Sequence, residues 1–298
     1  MSNILDIIKN NMNYVDSDGR KFLHVSLNAG IGDILYAYHV LEHVKSRYHK
    51  IKFYVHYNNL ICRNNNEGAP VAVEFTRNLV DLCFGRDARY LQVDQPLATG
   101  PICNQNFCKL LDIPSTSFAK PDWNFLCDNS SVSEKNYVIV HTKARGVVAK
   151  NWHDHKQEFV NALTKISERH TVIFMGDRSI DFNKNVEYRN FTQCVYCIYD
   201  HIKNIIDGNK FLNMTRDNVM DQPNFKNYRR DCTYIKNAHA VIQLGIGGSF
   251  VTSVGLTSNC YSLLDRSDTL VPDVVLPLCK GNKYNFDFLN FCKEIHTI

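Results

Sequence analysis

Residues 22–33 read Phe-Leu-His-Val-Ser-Leu-Asn-Ala-Gly-Ile-Gly-Asp, and this stretch decides the fold. It opens with a short apolar run typical of a strand and continues into two closely spaced glycines. Residues 34–48 then carry apolar side chains at helical spacing, and residues 51–55 form a second apolar run. Strand, glycine turn, helix and strand predict a βαβ unit, which requires a parallel sheet and a right-handed crossover.

A second passage of the same kind occupies the later half of the chain. Residues 137–141 form a nearly continuous apolar strand, as expected in the middle of a parallel sheet. A polar loop and alternating strands and helices follow. Strands are predicted at 171–175, near 211, at 240–244 and at 260–264, and helices at 156–167, 195–206, 228–237, 250–256 and 286–295.

Two such passages predict an α/β fold with two Rossmann-like domains that face each other across a cleft. A chain of 298 residues is long enough for two domains of ordinary size. Residues 114–134 are rich in Ser, Pro, Asp and Asn and have no sustained periodicity, so they are the best candidate for a linker. We therefore predict one domain over 1–130 and another over 131–298, with a last helix that could pack back on the first domain.

Composition excludes several classes of protein. The net charge is only +4 and the basic residues are scattered among acidic ones, which argues against a nucleic-acid partner. No apolar run approaches the length of a membrane span, and no signal peptide is evident. Eleven cysteines without a disulfide spacing pattern predict reduced thiols and a cytoplasmic location. Cys194 and Cys197 have C-x-x-C spacing, but on a predicted helix they indicate a structural role.

The first glycine loop contains Gly30 and Gly32 and ends at Asp33, immediately before the first helix. Glycines allow close approach of a ligand, and the helix N-terminus offers free N–H groups. A carboxylate here would repel a pyrophosphate. Asp33 is consistent with two roles, a helix cap or a general base acting on a hydroxyl nucleophile.

The second glycine loop, Gly245-Ile-Gly-Gly-Ser249, contains no acid and is therefore the better phosphate cradle. The alternative is a plain tight turn. A basic loop follows the strand at 137–141 and includes Arg145 and Lys150; these cations either meet an anionic ligand or are simply solvated. Asp16-Ser-Asp18 indicates a polar turn rather than a metal site, and no metal is predicted.

At these loops the sequence resembles glycosyltransferase family 9, the heptosyltransferase-like enzymes with the GT-B fold. Three segments carry the likeness in order along the chain. The first is residues 30–33 with the helix after them. The second is residues 138–142, followed by Lys150-Asn-Trp152 and the strand at 172–176. The third is residues 238–249, followed by Val254-Gly255-Leu256.

The resemblance implies a glycosyltransferase that moves a sugar from a nucleoside-diphosphate sugar to a glycan hydroxyl, without a metal or cofactor and with inversion. It assigns Asp33 as the base, with Gly30 and Gly32 on the acceptor side. It assigns donor phosphates to Lys150, Gly247, Gly248 and Ser249, to which the charge of the basic loop adds Arg145, and we expect the donor nucleotide at Met175, Gly176 and Asp177. The family's last loop usually has an Asp before its Gly and a His after it, and this sequence has neither, so the donor sugar stays open. A sugar-nucleotide epimerase and an inactive sugar-nucleotide or glycan-binding protein are the alternatives.

Overall fold

The computed structural model describes residues 13–28, 31–56, 69–85, 89–91, 108, 111–114, 119–141, 143–145, 154–177, 195–197, 210–216, 225–245, 248–266 and 276–298. The chain divides into two compact units. The first unit comprises Met1–Pro121, Pro223–Phe225 and Pro272–Leu278, and the second unit comprises Asp122–Gln222, Lys226–Val271 and Cys279–Ile298.

The described strands of the first unit form a four-stranded sheet in sequential order: β1 (Asn13–Val15), β2 (Lys21–Asn28), β3 (Lys50–His56) and β4 (Arg89–Leu91). β1 runs antiparallel to β2, and the other neighbours are parallel. Helix α1 (Ile31–Glu42) connects β2 to β3, and α2 (Ala69–Phe84) precedes β4. The βαβ unit predicted around residues 22–55 is therefore confirmed.

The hairpin between β1 and β2 contains the Asp16-Ser-Asp18 triplet. Asp16 Oδ1 accepts hydrogen bonds from the backbone N–H groups of Asp18 and Arg20 at 3.0 and 2.9 Å. The Arg20 side chain pairs with both carboxylates at 2.7 Å, and Gly19 has a φ of +77°. The triplet thus forms a hydrogen-bonded turn, as predicted.

The remaining strands are β5 (Tyr137–His141), β6 (Lys143–Arg145), β7 (Thr171–Asp177), β8 (Val195–Cys197), β9 (Phe211–Arg216), β10 (Ala240–Leu244), β11 (Cys260–Leu263) and β12 (Lys283–Asn285). Apart from β6 and β8, which pair with each other, the described strands of the second unit form one parallel sheet in the order β9-β7-β5-β10-β11-β12. Counted along the chain, that order is 3-2-1-4-5-6, the order of Rossmann folds. The predicted α/β class is confirmed.

The later helices are α3 (Lys156–Ser167), α4 (Phe225–Asn237), α5 (Gly248–Leu256), α6 (Leu276–Leu278) and α7 (Phe288–Ile295). α3 and α7 supply Phe159, Leu163, Phe291 and Ile295 to a core on one face of the second unit's sheet. The sequence left open whether the last helix packs on the first domain. The apolar face of this last helix, α7, lies in the core of the second unit, where α7 contacts α3.

The predicted linker is anchored where the structure describes it. Trp123 is 1% exposed, and its indole Nε1 donates to the Val251 carbonyl of α5 at 2.8 Å. Its backbone N–H donates to the carbonyl of Gly255 at 3.0 Å. Two hydrogen bonds and a buried ring therefore fix this segment against α5, although its sequence has no strand or helix periodicity.

Candidate functional site

The chain reverses its direction of winding between β5 and β10, which are neighbours in the second unit's sheet. From β5 it winds outward to β7 and β9, and then returns to β10 on the other side. In open parallel sheets, ligands bind at the carboxyl ends of the two strands at such a switch point. The candidate site is therefore the edge where β5 ends at His141 and β10 ends at Leu244.

A glycine turn and a helix N-terminus lie at this edge. Gly245 has a φ of +76°, a conformation that favours glycine, and its N–H donates to the Leu263 carbonyl at 2.8 Å. Helix α5 begins at Gly248, two residues earlier than predicted, so Gly248 and Ser249 belong to its first turn. The first N–H groups of a helix have no intrahelical partners, which suits an anion. Gly247 lies outside the described residues.

Hydroxyl groups hold the first turn of α5. Thr252 Oγ1 donates to the Gly248 carbonyl at 2.7 Å, and Ser253 Oγ donates to the Ser249 carbonyl at 2.8 Å. The Tyr228 hydroxyl lies 3.0 Å from Thr252 Oγ1 and acts as the donor, because the single Thr252 proton is already used. These bonds fix the orientation of the turn before any ligand arrives.

Three polar side chains form a buried row across neighbouring strands of the sheet, and two of them, His141 and Gln243, contact α5. His141, Gln243 and Ser262 are register partners on β5, β10 and β11, and they are 4%, 2% and 0% exposed. Gln243 Nε2 donates to Ser249 Oγ at 3.2 Å. His141 Nε2 lies 3.3 Å from Ser253 Oγ. The hydroxyl proton of Ser253 is donated to the Ser249 carbonyl, so in this contact His141 Nε2 carries the hydrogen and donates to Ser253 Oγ.

The residues assigned to the nucleotide lie at the same edge of the sheet. Met175 is buried on β7 and pairs in register with His141. Gly176 follows with a φ of +118°, again a conformation for glycine, and Asp177 is the last residue of the strand. Their role in binding a nucleotide stays a prediction.

The basic loop after β5 is only partly described. Arg145 ends β6, where it pairs with Val195 of β8, and its side chain lies outside the described residues together with Lys150. The helix predicted from residue 195 is wrong at Val195–Cys197, which is a strand. This short segment has strand-forming side chains and finds an antiparallel partner in β6, which local periodicity does not reveal.

In the first unit, Asp33 is the third residue of α1 and is half-buried, and Gly32 precedes it in the same turn. Gly30 lies outside the described residues. The helix begins at Ile31, so Asp33 lies inside it and is not the N-cap that the sequence suggested; a carboxylate in the first turn still interacts favourably with the helix dipole. The role of Asp33 as a base stays a prediction.

The described part of the chain contains neither a cluster of metal-ligating side chains nor a helix that could span a membrane. Within it, no three His, Cys, Asp or Glu side chains are grouped so as to bind a metal ion. Likewise, none of its helices combines the length and the apolar character needed to cross a bilayer.

Comparison with solved structures gives the fold. The chain is similar to ADP-heptose LPS heptosyltransferase II of E. coli, with a TM-score of 0.50 and 14% identity over 92% of this chain and 98% of that chain. The chain shares the fold of that heptosyltransferase. E. coli heptosyltransferase WaaC, solved with ADP, aligns with a TM-score of 0.44 and 11% identity over 88% and 92% of the two chains. The iron-containing heptosyltransferase TibC aligns with a TM-score of 0.44 and 10% identity over 83% of this chain and 58% of that chain.

No protein-family model matches the sequence, and no curated protein matches it significantly. The fold predicted from the resemblance to glycosyltransferase family 9 is confirmed by the similarity to heptosyltransferase II. At this level of identity the similarity concerns the fold alone. The choice of candidate site residues therefore depends on the geometry described above.

Sequence reasoning missed the side chains that hold the turn, among them Gln243, Ser253 and Tyr228. Gln243 carried a usable signal, because a glutamine stands inside the apolar strand Ala-Val-Ile-Gln-Leu. Polar residues in buried parallel strands are uncommon, so such a residue indicates a role other than packing. Tyr228 and Ser253 carried no such signal, because Tyr228 meets Thr252 only where α4 packs on α5, and Ser253 meets His141 only where α5 packs on β5.

Proposed function

We propose that this chain is a glycosyltransferase that transfers a sugar from a nucleoside-diphosphate sugar to a hydroxyl group of a glycan. The observation that carries the proposal is the first turn of α5 at the switch point of the second unit. Helix N–H groups, the Ser249 hydroxyl and a glycine turn meet there, and they match the needs of a diphosphate. The similarity in fold to heptosyltransferase II is consistent with this proposal.

The phosphate-binding turn would stabilise the leaving group. As the sugar leaves, negative charge develops on the nucleoside diphosphate, and preoriented donors at that position lower the barrier. We assign this role to the Gly247, Gly248 and Ser249 segment together with Arg145 and Lys150 of the basic loop. Five such groups would neutralise the charge without a metal ion, so we propose a metal-independent transfer.

In the first unit, we assign Asp33 as the base that removes the proton from the acceptor hydroxyl. Direct attack by that hydroxyl on the donor sugar would invert the anomeric centre. We further propose a cytoplasmic location. The cysteines whose side chains the structure describes are free thiols, as in proteins of reducing compartments.

A panel of nucleoside-diphosphate sugars tests the proposal. The purified chain is incubated with each donor, with and without EDTA, and the products are followed by NMR. Release of the sugar, or its transfer with inverted configuration to an added glycan, supports the glycosyltransferase, and full activity in EDTA supports metal independence. An isomerised sugar still attached to its nucleotide would indicate an epimerase, and binding without turnover would indicate an inactive binding protein.

A further inference from the structure

Gln243 occupies a position where an apolar side chain is expected. All five residues of β10 are buried, and the other four are Ala, Val, Ile and Leu. Alternate residues of this strand, Ala240, Ile242 and Leu244, lie in the apolar core on one face of the sheet. Gln243 points to the other face, toward α5, and contacts Ser249.

The amide of Gln243 is only half satisfied. Nε2 donates to Ser249 Oγ at 3.2 Å, whereas Oε1 is buried and accepts no hydrogen bond in the part of the chain that the structure describes. If the amide were turned over, Oε1 would face Ser249 and Nε2 would lack a partner instead. A buried polar atom without a partner destabilises a fold. A Leu or Met here would avoid that cost, so stability does not explain the glutamine.

Ser249 connects Gln243 to the phosphate-binding turn. Its Oγ accepts a hydrogen bond from Gln243, so its single proton is available to an acceptor elsewhere. Its carbonyl accepts from Ser253, which fixes the backbone of the same residue. With the backbone and one side of the hydroxyl held, the Ser249 O–H is oriented as a donor at the N-terminus of α5.

We propose that Gln243 is a positioning residue, which holds the Ser249 hydroxyl so that it donates to a phosphate oxygen of the sugar donor. This rests on the proposed function. Gln243 is kept at a cost in stability because it orients a ligand-binding group. Its own amide need not touch the ligand.

The test combines ligand affinity with unfolding. The variants are Gln243→Met, which is nearly isosteric, and Gln243→Leu, each alone and combined with Ser249→Ala. The probes are ADP, GDP, UDP and CDP, measured by calorimetry, and stability is measured by urea unfolding without ligand. Ser262→Ala is the matched control, because Ser262 is the buried register partner of Gln243 on β11 and its hydroxyl lies 3.5 Å from Cys260 Sγ on its own strand.

We expect Gln243→Met and Gln243→Leu to unfold at the wild-type urea concentration or higher, and to bind the preferred nucleoside diphosphate about 3- to 10-fold more weakly. In the Ser249→Ala background the same substitutions should change affinity by less than about twofold, because the hydroxyl they orient is absent. Ser262→Ala should leave affinity unchanged.

Other outcomes overturn the inference. Wild-type affinity in the Gln243 variants would show that the residue positions nothing, and marked destabilisation of both variants would show a purely structural role. An equal loss of affinity with and without Ser249 would show that Gln243 does not act through that hydroxyl. If the wild-type chain binds none of the four probes, the proposed function itself fails, which a separate wild-type titration reveals before any variant is made.

Discussion

At the scale of single residues, a substitution at Asp33 should distinguish the catalytic step from binding of the nucleoside diphosphate. Asp33→Asn keeps the size of the side chain but removes the proposed base, so transfer should fall about 10²–10⁴-fold. At the third position of α1 the substitution removes the interaction of the charge with the helix dipole, so stability should fall by about 0.3–1 kcal/mol. Nucleoside-diphosphate affinity should persist, since the proposed phosphate-binding turn belongs to α5. Melting temperature, affinity and turnover measured on one sample check all three expectations.

The control for Asp33 is Asp18→Asn, because Asp18 is an exposed carboxylate in the β1–β2 turn of the same unit. That variant should keep full activity. Normal turnover of Asp33→Asn would contradict its role as base, and a loss of activity in proportion to a loss of stability would make Asp33 a structural residue.

His39 should make the first unit sensitive to acid. Its side chain on α1 is 7% exposed, and burial followed by the charge of His43 lowers its pKa to about 4. Between pH 6.5 and 4 the unfolded chain binds a proton at this position that the folded chain does not. Stability from this group is therefore complete above pH 6.5 and is lost as the pH falls toward 4.

Each pKa unit corresponds to about 1.4 kcal/mol, so the loss should amount to about 3 kcal/mol. His39→Leu should remove that part of the pH dependence, measured as the difference in urea unfolding free energy between pH 7 and pH 4. His49→Gln changes an exposed histidine of the same unit and should leave the dependence unchanged. An identical acid slope in wild type and His39→Leu would contradict the assignment.

At the scale of elements, α5 depends on its close approach to Trp123. Replacing Gly by Ala inside a helix usually stabilises it by about 1 kcal/mol. At Gly255 the added Cβ would lie 1.8 Å from the Cδ1 and Nε1 atoms of Trp123, so the ring must move. Overpacking of this kind costs about 1–3 kcal/mol. Gly255→Ala should therefore destabilise the second unit, as measured by urea unfolding.

Trp123→Ala provides the matched background for this substitution. Once the ring is removed, Gly255→Ala should become neutral or stabilising, because only the helix preference remains. If Gly255→Ala lowers the unfolding free energy equally with Trp123 and with Ala at that position, the ring does not limit the space at Gly255.

The elements also show where local pattern sufficed. α3, at Lys156–Ser167, and β10, at Ala240–Leu244, match the predicted bounds, because α3 has a clear helical period of apolar residues and β10 is a short apolar run that ends at a glycine. β8 was mistaken for a helix because three residues are too few to show a period, and its pairing with β6 is not local.

At the scale of the whole molecule, a nucleoside diphosphate should stabilise the chain unevenly. At 100 times its dissociation constant it should add about 2.7 kcal/mol to the unfolding free energy. Amide hydrogen exchange should slow most in residues 240–256, which contain β10 and α5, because local openings there break the site. α2, at Ala69–Phe84, serves as the internal reference and should exchange as before. Strongest protection in α1 would instead place the phosphates at the first glycine loop.

The sequence by itself determined the alternation of strands and helices, the glycine turn at Gly245 and hence the α/β class. These follow from side-chain periodicity and from backbone freedom at glycine, which act over a few residues. Only the tertiary structure decided the strand order, and with it the switch point between β5 and β10. It also brought Gln243 beside His141 and under Ser249, and set Trp123 against Gly255. Pairing and packing join residues far apart in the chain, and their free energy depends on shape and hydrogen bonds that no local pattern encodes.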